Sequence, residues 1–394
     1  MQRAFTKHKK LIVVALAAAV TLPATAFAEN GNFTFYGKAD VSYDSVNTGG
    51  GMSAANGGAP FAGTTKRVVS SNVSKFGFKG NEDLGDGLSA IWQVEQQINF
   101  DDAAKNTFAS RNTFAGLKSE TLGTVLFGIH DTPYKIATRK LDVFGDSIGD
   151  NRALMGAPKS VAAVVPNGTT GAAPFAGASS QGFELRPNNV LAYISPAFAG
   201  VTAAVATVNL TEQNYNSTHK ANSALSLAAM YDVAPFYGSV AHESHTLETV
   251  AAGAKESASR LGFGFTQDKF SVGAVYEKTT DNLGAALANK YGHSAFYLSG
   301  KVNIGNDAVK LGYAKAGVLG TGTAQIVNSG ASQISVGYDH GLSKRTKVYA
   351  LYTKISNGLG INYGFSQNSG AATTNSGYYG TSPSVLSLGV QHSF

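Results

Sequence analysis

The last eleven residues of the chain, 384–394, alternate between bulky and small or polar side chains up to the final position. Bulky groups occupy Leu386 and every second position after it, ending on Phe394. A period of two is the signature of a β-strand with one apolar and one polar face. At the end of a soluble chain such a strand would leave an unpaired edge. The pattern therefore favours a sheet that closes on itself, in which this last strand pairs with the first.

Fifteen other segments alternate in the same way, which predicts sixteen strands in total. In the first of them, residues 32–43, all charged side chains fall on one face. The connections alternate between short turns and long loops, as in 267–269 followed by 279–292. The predicted strands are 32–43, 74–82, 88–95, 110–118, 124–130, 184–194, 201–210, 222–231, 236–243, 259–266, 270–278, 293–302, 308–316, 332–339, 347–355 and 384–394.

These features predict an all-β fold, a transmembrane antiparallel β-barrel. In hydrocarbon every backbone polar group needs a protein partner, and a closed sheet supplies one without leaving an edge. Sixteen strands enclose a lumen wide enough for water, so charged residues can face inward without a packed core. The composition agrees, because only 14% of residues are charged, 46 are Gly and none is Cys. The alternative fold is a soluble sandwich or lectin-like protein with one wet face per strand.

Residues 1–28 have the layout of a secretory signal peptide. A basic start precedes an apolar run at 11–20, and Ala26-Phe27-Ala28 gives a small-x-small cleavage pattern. The barrel domain is therefore predicted to begin at Glu29 and to occupy 29–394. Since the signal holds four of the 31 basic residues and no acid, 27 basic residues remain against 25 acidic ones. That balance argues against nucleic acid as a partner.

Four stretches carry a family resemblance: SKFGFKGNEDLGDGL at 74–88, RNTFAGL at 111–117, NNVLAYISP at 188–196 and GVQHSF at 389–394. Together they resemble the general, non-specific porins of Gram-negative outer membranes, particularly the β-proteobacterial type. The resemblance extends over the whole chain. It implies an outer-membrane homotrimer that passes ions and small hydrophilic solutes by diffusion. It also implies that the outer-membrane assembly machinery reads the C-terminal strand, with Phe394 as its signal.

In that family the third external loop folds into the lumen and sets the pore size. Here the loop would begin near Asp131. Asp142, Asp146 and Asp150 recur at a spacing of four, which would align them on one side of a short helical turn. Opposite charges across a water-filled constriction create a transverse field that orients dipolar solutes and biases ion passage. The basic wall residues that we place opposite these acids, all on predicted strands, are Lys38, Lys75, Arg111 and Arg186.

Two positions depart from the family pattern. Ile129 follows Gly128 where relatives commonly carry Arg, and Lys75 stands where Arg is frequent. The basic wall is therefore thinner than in the family, and the sign of ion selectivity stays open. Residues 151–182 also lengthen the loop region, and half of them are Gly, Ala or Pro. That composition argues against a packed helix or strand and fits either a second inward lobe or an external lid.

Other chemistries find little support in the sequence. His242 and His245 could bind a metal, but the HExxH spacing is absent, so no metal site is predicted. A barrel enzyme such as a lipid hydrolase needs a Ser beside a His, yet His392 and Ser393 point to opposite faces of one strand. No nucleophile elbow or phosphate-binding loop occurs, so neither catalysis nor a cofactor is expected. An adhesive surface barrel is a third alternative, because the external loops are long.

Overall fold

The structure is a computed structural model that covers most of the predicted mature chain. The predicted signal peptide, residues 1–28, lies outside the described residues, and so do positions 157–181 of the Gly/Ala/Pro-rich stretch. The described residues are 31–53, 60–102, 104, 106–156, 182–210, 222–248, 252–283, 288–320, 325–365, 371 and 378–394.

Most of the described strands belong to one antiparallel sheet. Its members are β1 (Gly31–Asn47), β4 (Thr65–Ser71), β5 (Lys75–Gly85), β6 (Leu88–Gln97), β7 (Thr113–Ser119), β8 (Gly123–Ile129), β9 (Val190–Ile194), β10 (Val201–Asn209), β11 (Ser223–Val233), β12 (Phe236–Thr246), β13 (Lys255–Gln267), β14 (Phe270–Asp281), β15 (Ser294–Ile304), β16 (Asp307–Ala316), β17 (Ala331–Gly341), β18 (Thr346–Asn357) and β20 (Ser384–Ser393). A small second sheet joins β2 (Gly51–Ser53), β3 (Pro60–Phe61) and β19 (Tyr378–Tyr379). Helix α1 (Pro133–Arg139) and a 3₁₀ turn at Asn151–Ala153 follow β8.

The large sheet forms sixteen membrane-crossing segments, as predicted. Strands β4 and β5 pair with successive halves of β1 and so act as one segment. The segment is interrupted near Val73, whose φ of 53° lies in the left-handed region. The Gly/Ala/Ser-rich composition after residue 43 predicts a loop as far as about Ser71, between the first two predicted strands. That prediction was wrong, because β1 runs on to Asn47 and its longer edge pairs with β4.

Strand β20 closes the barrel on β1. The register runs from Lys38 opposite Ser393 to Asn47 opposite Ser384. Phe394 continues the ladder, since its N–H donates to the carbonyl of Gly37 at 3.0 Å and its carbonyl accepts from the same residue at 2.9 Å. The predicted pairing of the last strand with the first is confirmed.

The two faces of the sheet differ as the alternation predicts. On β17, Ile334, Val336 and Tyr338 are exposed outward, whereas Gln333 and Ser335 are buried on the inner side. An apolar outer face and a polar inner face are typical of a barrel in a membrane. None of the helices in the described part of the chain combines the length and the apolar character needed to cross a bilayer.

Short turns and long loops alternate around the barrel, and the start of β1 and the end of β20 both lie on the short-turn side. Two strands begin several residues later than predicted: β7 at Thr113 instead of 110 and β9 at Val190 instead of 184. The residues just before β9 leave the sheet because their charged side chains bind inside the lumen, as Glu184 does with Arg260 at 2.6 Å.

Candidate functional site

Residues 131–156, which follow β8, fold back into the barrel. We call residues 131–156 the inner loop; it contains α1 and the 3₁₀ turn. Inward-facing side chains of β12, β15 and β17 donate hydrogen bonds to its backbone carbonyls, so the loop crosses the inner wall and narrows the lumen. The three bonds are Tyr237 Oη to Ala137 O at 2.6 Å, Ser299 Oγ to Leu141 O at 2.7 Å and Gln333 Nε2 to Gly149 O at 3.2 Å.

Glycines of the wall make room for the apolar side of the inner loop. Leu141 and Phe144 of the loop are almost fully buried. A Cβ atom added to Gly273 on β14 would lie 2.8 Å from the backbone oxygen of Leu141. One added to Gly337 on β17 would lie 2.8 Å from the Phe144 ring. Real Cβ atoms do not approach so closely, so the loop sits in this position only because the wall lacks side chains there.

Both ends of the inner loop are tied to one buried carboxylate, Glu277 on β14. It accepts a hydrogen bond from Tyr134 Oη at 2.6 Å and another from the Gly156 N–H at 2.8 Å. Arg260 on β13 pairs with the same carboxylate. A buried carboxylate that accepts several hydrogen bonds from charged and neutral donors is fixed in place. The Glu277 carboxylate therefore holds the start and the end of the inner loop together.

The three predicted acids lie close together in the inner loop, but their predicted helical alignment is wrong. Helix α1 ends at Arg139, and Asp146 has a φ of 64°, so this stretch is a series of turns. Asp142 is buried and accepts a hydrogen bond from Tyr297 Oη at 2.7 Å. Asp150 is fully buried. Of the three, only Asp146 has substantial contact with the lumen, with 29% of its side chain exposed.

Two arginines that the sequence analysis missed hold these acids. Arg139 Nη2 lies 2.7 Å from Asp146 and 3.0 Å from Asp150. Arg152 Nη2 lies 3.1 Å from Asp146 and 2.6 Å from Asp150. Burial opposes ionisation of Asp146, but the two guanidinium groups outweigh it and lower the pKa of its carboxyl to about 2. Asp146 is thus charged at neutral pH, and so is each arginine beside it.

The four predicted basic residues all lie on the inner side of the barrel, and Arg186 binds Asp131 at the start of the inner loop at 3.0 Å. Lys38 and Lys75 are directly opposite each other on β1 and β5. The positive charge of Lys38 also contributes to the low pKa of Asp146, which places the two groups within electrostatic range of each other. Arg111 and Arg186 precede β7 and β9, so the prediction that all four lie on strands was wrong for these two.

Three separate clusters in the lumen join two bases to one acid. Coulomb attraction satisfies the shared carboxylate and leaves each cluster with a net charge of +1. We call these clusters the triads. They are Lys75 and Arg111 with Glu95 (3.2 and 2.5 Å), Lys135 and Arg186 with Asp131 (2.8 and 3.0 Å), and Lys310 and Lys347 with Asp339 (2.9 and 2.8 Å).

In two of the triads the acid is more buried than a base that it binds. Lys75 is 26% exposed and Glu95 only 6%, while Lys347 is 32% exposed and Asp339 13%. In these two triads water and solutes in the lumen therefore meet mainly the lysine ammonium groups. Lys135, Lys310 and Lys347 were not foreseen. Lys310 and Lys347 meet Asp339 through the register of the adjacent strands β16, β17 and β18, and Lys135 meets Asp131 only because α1 folds into the lumen.

The histidine pair considered as a metal site does not converge. His242 faces outward and its Nδ1 lies 2.9 Å from Ser259 Oγ. His245 faces inward, buried between Glu243 at 2.9 Å and Glu256 at 2.7 Å. Both histidines lie on strand β12 and not in a loop, and the ring of His245 is satisfied by the two carboxylates beside it.

A sixteen-stranded barrel whose lumen is narrowed by a charged loop defines a diffusion channel of the outer membrane. A family model described as Gram-negative porin matches residues 15–360, and the chain belongs to that family. The protein is accordingly a non-enzymatic channel in the outer membrane of Gram-negative cells, and the barrel-enzyme alternative is set aside.

Individual relatives agree with this assignment. Outer membrane porin protein 32 of Delftia acidovorans is 26% identical over 98% of this chain and 99% of the relative. Among solved structures, an anion-selective porin from Comamonas acidovorans superposes with a TM-score of 0.69 at 22% identity, covering 93% of this chain and all of the other. The trimer form of in-vitro folded OmpT of Vibrio cholerae gives a TM-score of 0.59 at 12% identity, with 93% and 100% coverage.

Proposed function

We propose that this porin prefers anions over cations as it passes small hydrophilic solutes and ions by diffusion. The observation that carries the proposal is the set of three triads, in each of which two bases share one acid. Fixed positive charge beside a water-filled constriction raises the local concentration of anions and lowers that of cations. The anion-selective porin from Comamonas acidovorans has the same fold, which is consistent with this sign. The reversal potential in a salt gradient tests it.

The proposed pore-lining groups are divided by role. Lys38, Lys75, Arg111 and Arg186 form the basic wall, and Asp146 is the acid that solutes meet. Asp142 and Asp150 are buried, so we assign them to holding the shape of the inner loop and not to direct contact with solutes.

Replacing Asp146 by Asn should strengthen the anion preference. One charge about 8 Å from a permeating ion contributes roughly 0.5 kcal/mol in water, with opposite signs for anion and cation, so we expect about a two- to fivefold change in permeability ratio. Reversal potentials measure it. The matched change Asp150→Asn removes the same charge, but from a buried ion pair with Arg139 and Arg152. It should destabilise the inner loop by about 3 to 5 kcal/mol and make the single-channel conductance irregular instead of shifting the permeability ratio. Identical behaviour of the two variants would contradict the division of roles.

Raising the pH from 7 to 9 should weaken the anion preference. Burial lowers the pKa of the Lys135 ammonium to about 8; Asp131 opposes this shift, and the positive charge of Arg186 adds to it. As the pH rises through 8, Lys135 loses its proton and its triad falls from +1 to neutral, whereas below pH 7 the charge is constant. Reversal potentials across this range measure the effect. The Lys135→Arg variant keeps its charge and should respond less; an equal response would exclude Lys135 as the cause.

We further propose that the mature chain begins at Glu29 and assembles as a homotrimer through recognition of its C-terminal strand. The trimer form of OmpT shares the fold. Phe394 lies on the outer surface at the short-turn side, with its ring centroid 5.6 Å from that of Phe35. Its position at the closing seam of the barrel is suited to a residue that marks the completed strand.

Deleting Phe394 should reduce the yield of assembled trimer while leaving the conductance of any assembled channel unchanged. The deletion removes a half-buried aromatic ring and two backbone hydrogen bonds to Gly37, roughly 1 to 3 kcal/mol in total. Native mass spectrometry of outer-membrane extracts measures the number of chains in each assembly. The mass of the single chain shows whether it begins at Glu29. Phe198→Ala, an exposed aromatic residue in a short turn, is the control; equal losses in the two variants would remove Phe394 from assembly.

A further inference from the structure

A cavity of about 330 Å³ lies on the inner face of the barrel, at the short-turn end of strands β15 to β18 and β20. In a barrel of this kind the short turns face the periplasm, so the cavity opens into the periplasmic mouth of the channel. Two of these turns, 305–306 and 342–345, contribute to its rim. The basic residues that line it are Lys301, Lys344, Arg345 and Lys347.

Two lysines beside this cavity stand directly opposite each other. Lys301 on β15 is in register with Lys310 on β16, and both lie on the inward face with the buried Ser299. Like charges directly opposite each other destabilise a pair of strands. Asp339 lies 2.9 Å from the Lys310 ammonium group, but in the described part of the chain no carboxylate lies within ion-pair distance of Lys301. The charge of Lys301 is therefore not balanced by any described acid.

The positive charge at the cavity exceeds what its acids balance. Asp339 is shared between Lys310 at 2.9 Å and Lys347 at 2.8 Å. Asp307, the second carboxylate of the lining, is on the outward face of β16, where it lies 2.7 Å from His340 Nδ1. Five basic groups and one inward carboxylate therefore meet at this end of the lumen, which leaves a net charge of +4.

Neutral hydrogen-bonding groups complete the lining. The Ser343 hydroxyl accepts hydrogen bonds from the backbone N–H groups of Arg345 and Thr346, at 3.2 and 3.0 Å, which leaves its own hydrogen for a ligand. Hydroxyl and amide donors, together with ammonium and guanidinium groups, suit the oxygens of a phosphate-like anion. The other neutral polar residues of the lining are Asn303, Asn306, Thr346, Gln391 and Ser393.

We propose that this cavity binds a small polyvalent oxyanion, one that carries two or more negative charges on phosphate-like oxygens. A monovalent ion neutralises one base and leaves the others facing each other, whereas a polyvalent oxyanion can bridge Lys301 and the 342–345 turn. The volume is at the lower end of the range for small-molecule sites, which favours a compact anion. The inference rests on the proposed anion preference, because the triad of Lys310, Lys347 and Asp339 forms one side of the cavity. It adds a class of solute and the place that holds it at the periplasmic mouth.

The test is a calorimetric titration of the refolded protein in a neutral detergent with about 0.1 M KCl. The probes are inorganic pyrophosphate and the monovalent anion methanesulfonate. Pyrophosphate should bind saturably, and methanesulfonate should not displace it. One base about 6 Å from a divalent or trivalent anion contributes roughly fivefold in affinity after screening by salt. Lys301→Gln should therefore weaken pyrophosphate binding about fivefold, and the double variant with Arg345→Gln about 25-fold.

The matched control is Lys118→Gln. Lys118 is next to the outward-facing Leu117 at the end of β7, so it is also an inward lysine close to a short turn. Strand β7 is four strands from β20, roughly 20 Å away and beyond the Debye length of about 10 Å. This variant should bind pyrophosphate as the unmodified protein does. Lys301→Arg keeps the charge and should keep the affinity.

The proposal is overturned if pyrophosphate does not bind, or if Lys301→Gln binds it as tightly as the unmodified protein. It is also overturned if Lys118→Gln or Lys301→Arg loses as much affinity as Lys301→Gln. The anion preference is tested separately, by the reversal potential of the unmodified protein in KCl alone. A channel that prefers anions but fails the titration contradicts only the oxyanion site, and one that binds pyrophosphate without preferring anions contradicts only the earlier proposal.

Discussion

Replacing one base of each triad by glutamine, Lys75→Gln with Arg186→Gln and Lys347→Gln, should abolish or reverse the anion preference of the channel. Each replacement takes a cluster from +1 to neutral, because one acid is left with one base. The replaced side chains are partly exposed, so their charge acts on ions in the lumen, and their removal leaves each acid paired.

The expected change is large because the three charges act in concert. At about 8 Å in water each contributes roughly 0.5 kcal/mol, with opposite signs for anion and cation. Together they change the permeability ratio on the order of 100-fold before screening, and about tenfold once a Debye length of about 10 Å at 0.1 M salt is considered. The control carries the same charge change on the lipid face, at Lys278, Lys315 and Lys354. A similar shift in that control would show that the triads are not the source of selectivity.

Introducing valine at two wall glycines, Gly273→Val with Gly337→Val, should displace the inner loop and widen the channel. The new side chains would meet the Leu141 backbone oxygen and the Phe144 ring, each 2.8 Å from the added Cβ. Overpacking of this kind costs about 1 to 3 kcal/mol per site. The displaced loop retains its charged anchors at Glu277 but loses the apolar contacts that hold Leu141 and Phe144 against the wall.

Single-channel conductance and the rate at which neutral sugars of increasing size enter vesicles both measure this widening. Larger sugars should enter and the conductance should rise, with more open-channel noise as the loop moves. Gly300→Val is the matched control, because an added Cβ at Gly300 on the neighbouring strand β15 meets no atom within 4 Å. A double variant with the conductance and size limit of the control would show that the glycines do not set the loop position.

The barrel could be predicted from the sequence because its main signal is local. A period of two along each strand reports which face meets lipid, and alternating connection lengths report how the strands are joined. Closure of β20 on β1 followed from one further physical requirement, that no strand edge be left unpaired in hydrocarbon. Strand ends were less predictable. The pairing of β4 with the end of β1 depends on the register of two neighbouring strands, and the late start of β9 depends on contacts inside the lumen, such as that of Glu184 with Arg260.

The constriction was predicted in outline but not in detail. The family resemblance located the inner loop and its three acids. Two of these acids, Asp142 and Asp150, are buried and satisfied by neighbours that their spacing cannot reveal, such as Tyr297 and Arg139. The triads were also hidden, because Lys310 and Lys347 are far in sequence from Lys75 and become part of the pore only after the barrel closes. Charge in a lumen is a property of the tertiary fold.

The most direct test of this account is the reversal potential of the unmodified protein in a planar bilayer under a tenfold KCl gradient. Net positive charge on the exposed side chains of the constriction predicts a reversal potential with the sign of the chloride equilibrium potential. The size of this potential should fall at high salt, because screening increases. A potential of the sign set by potassium would contradict the assignment of the triads as the charge that governs ion passage.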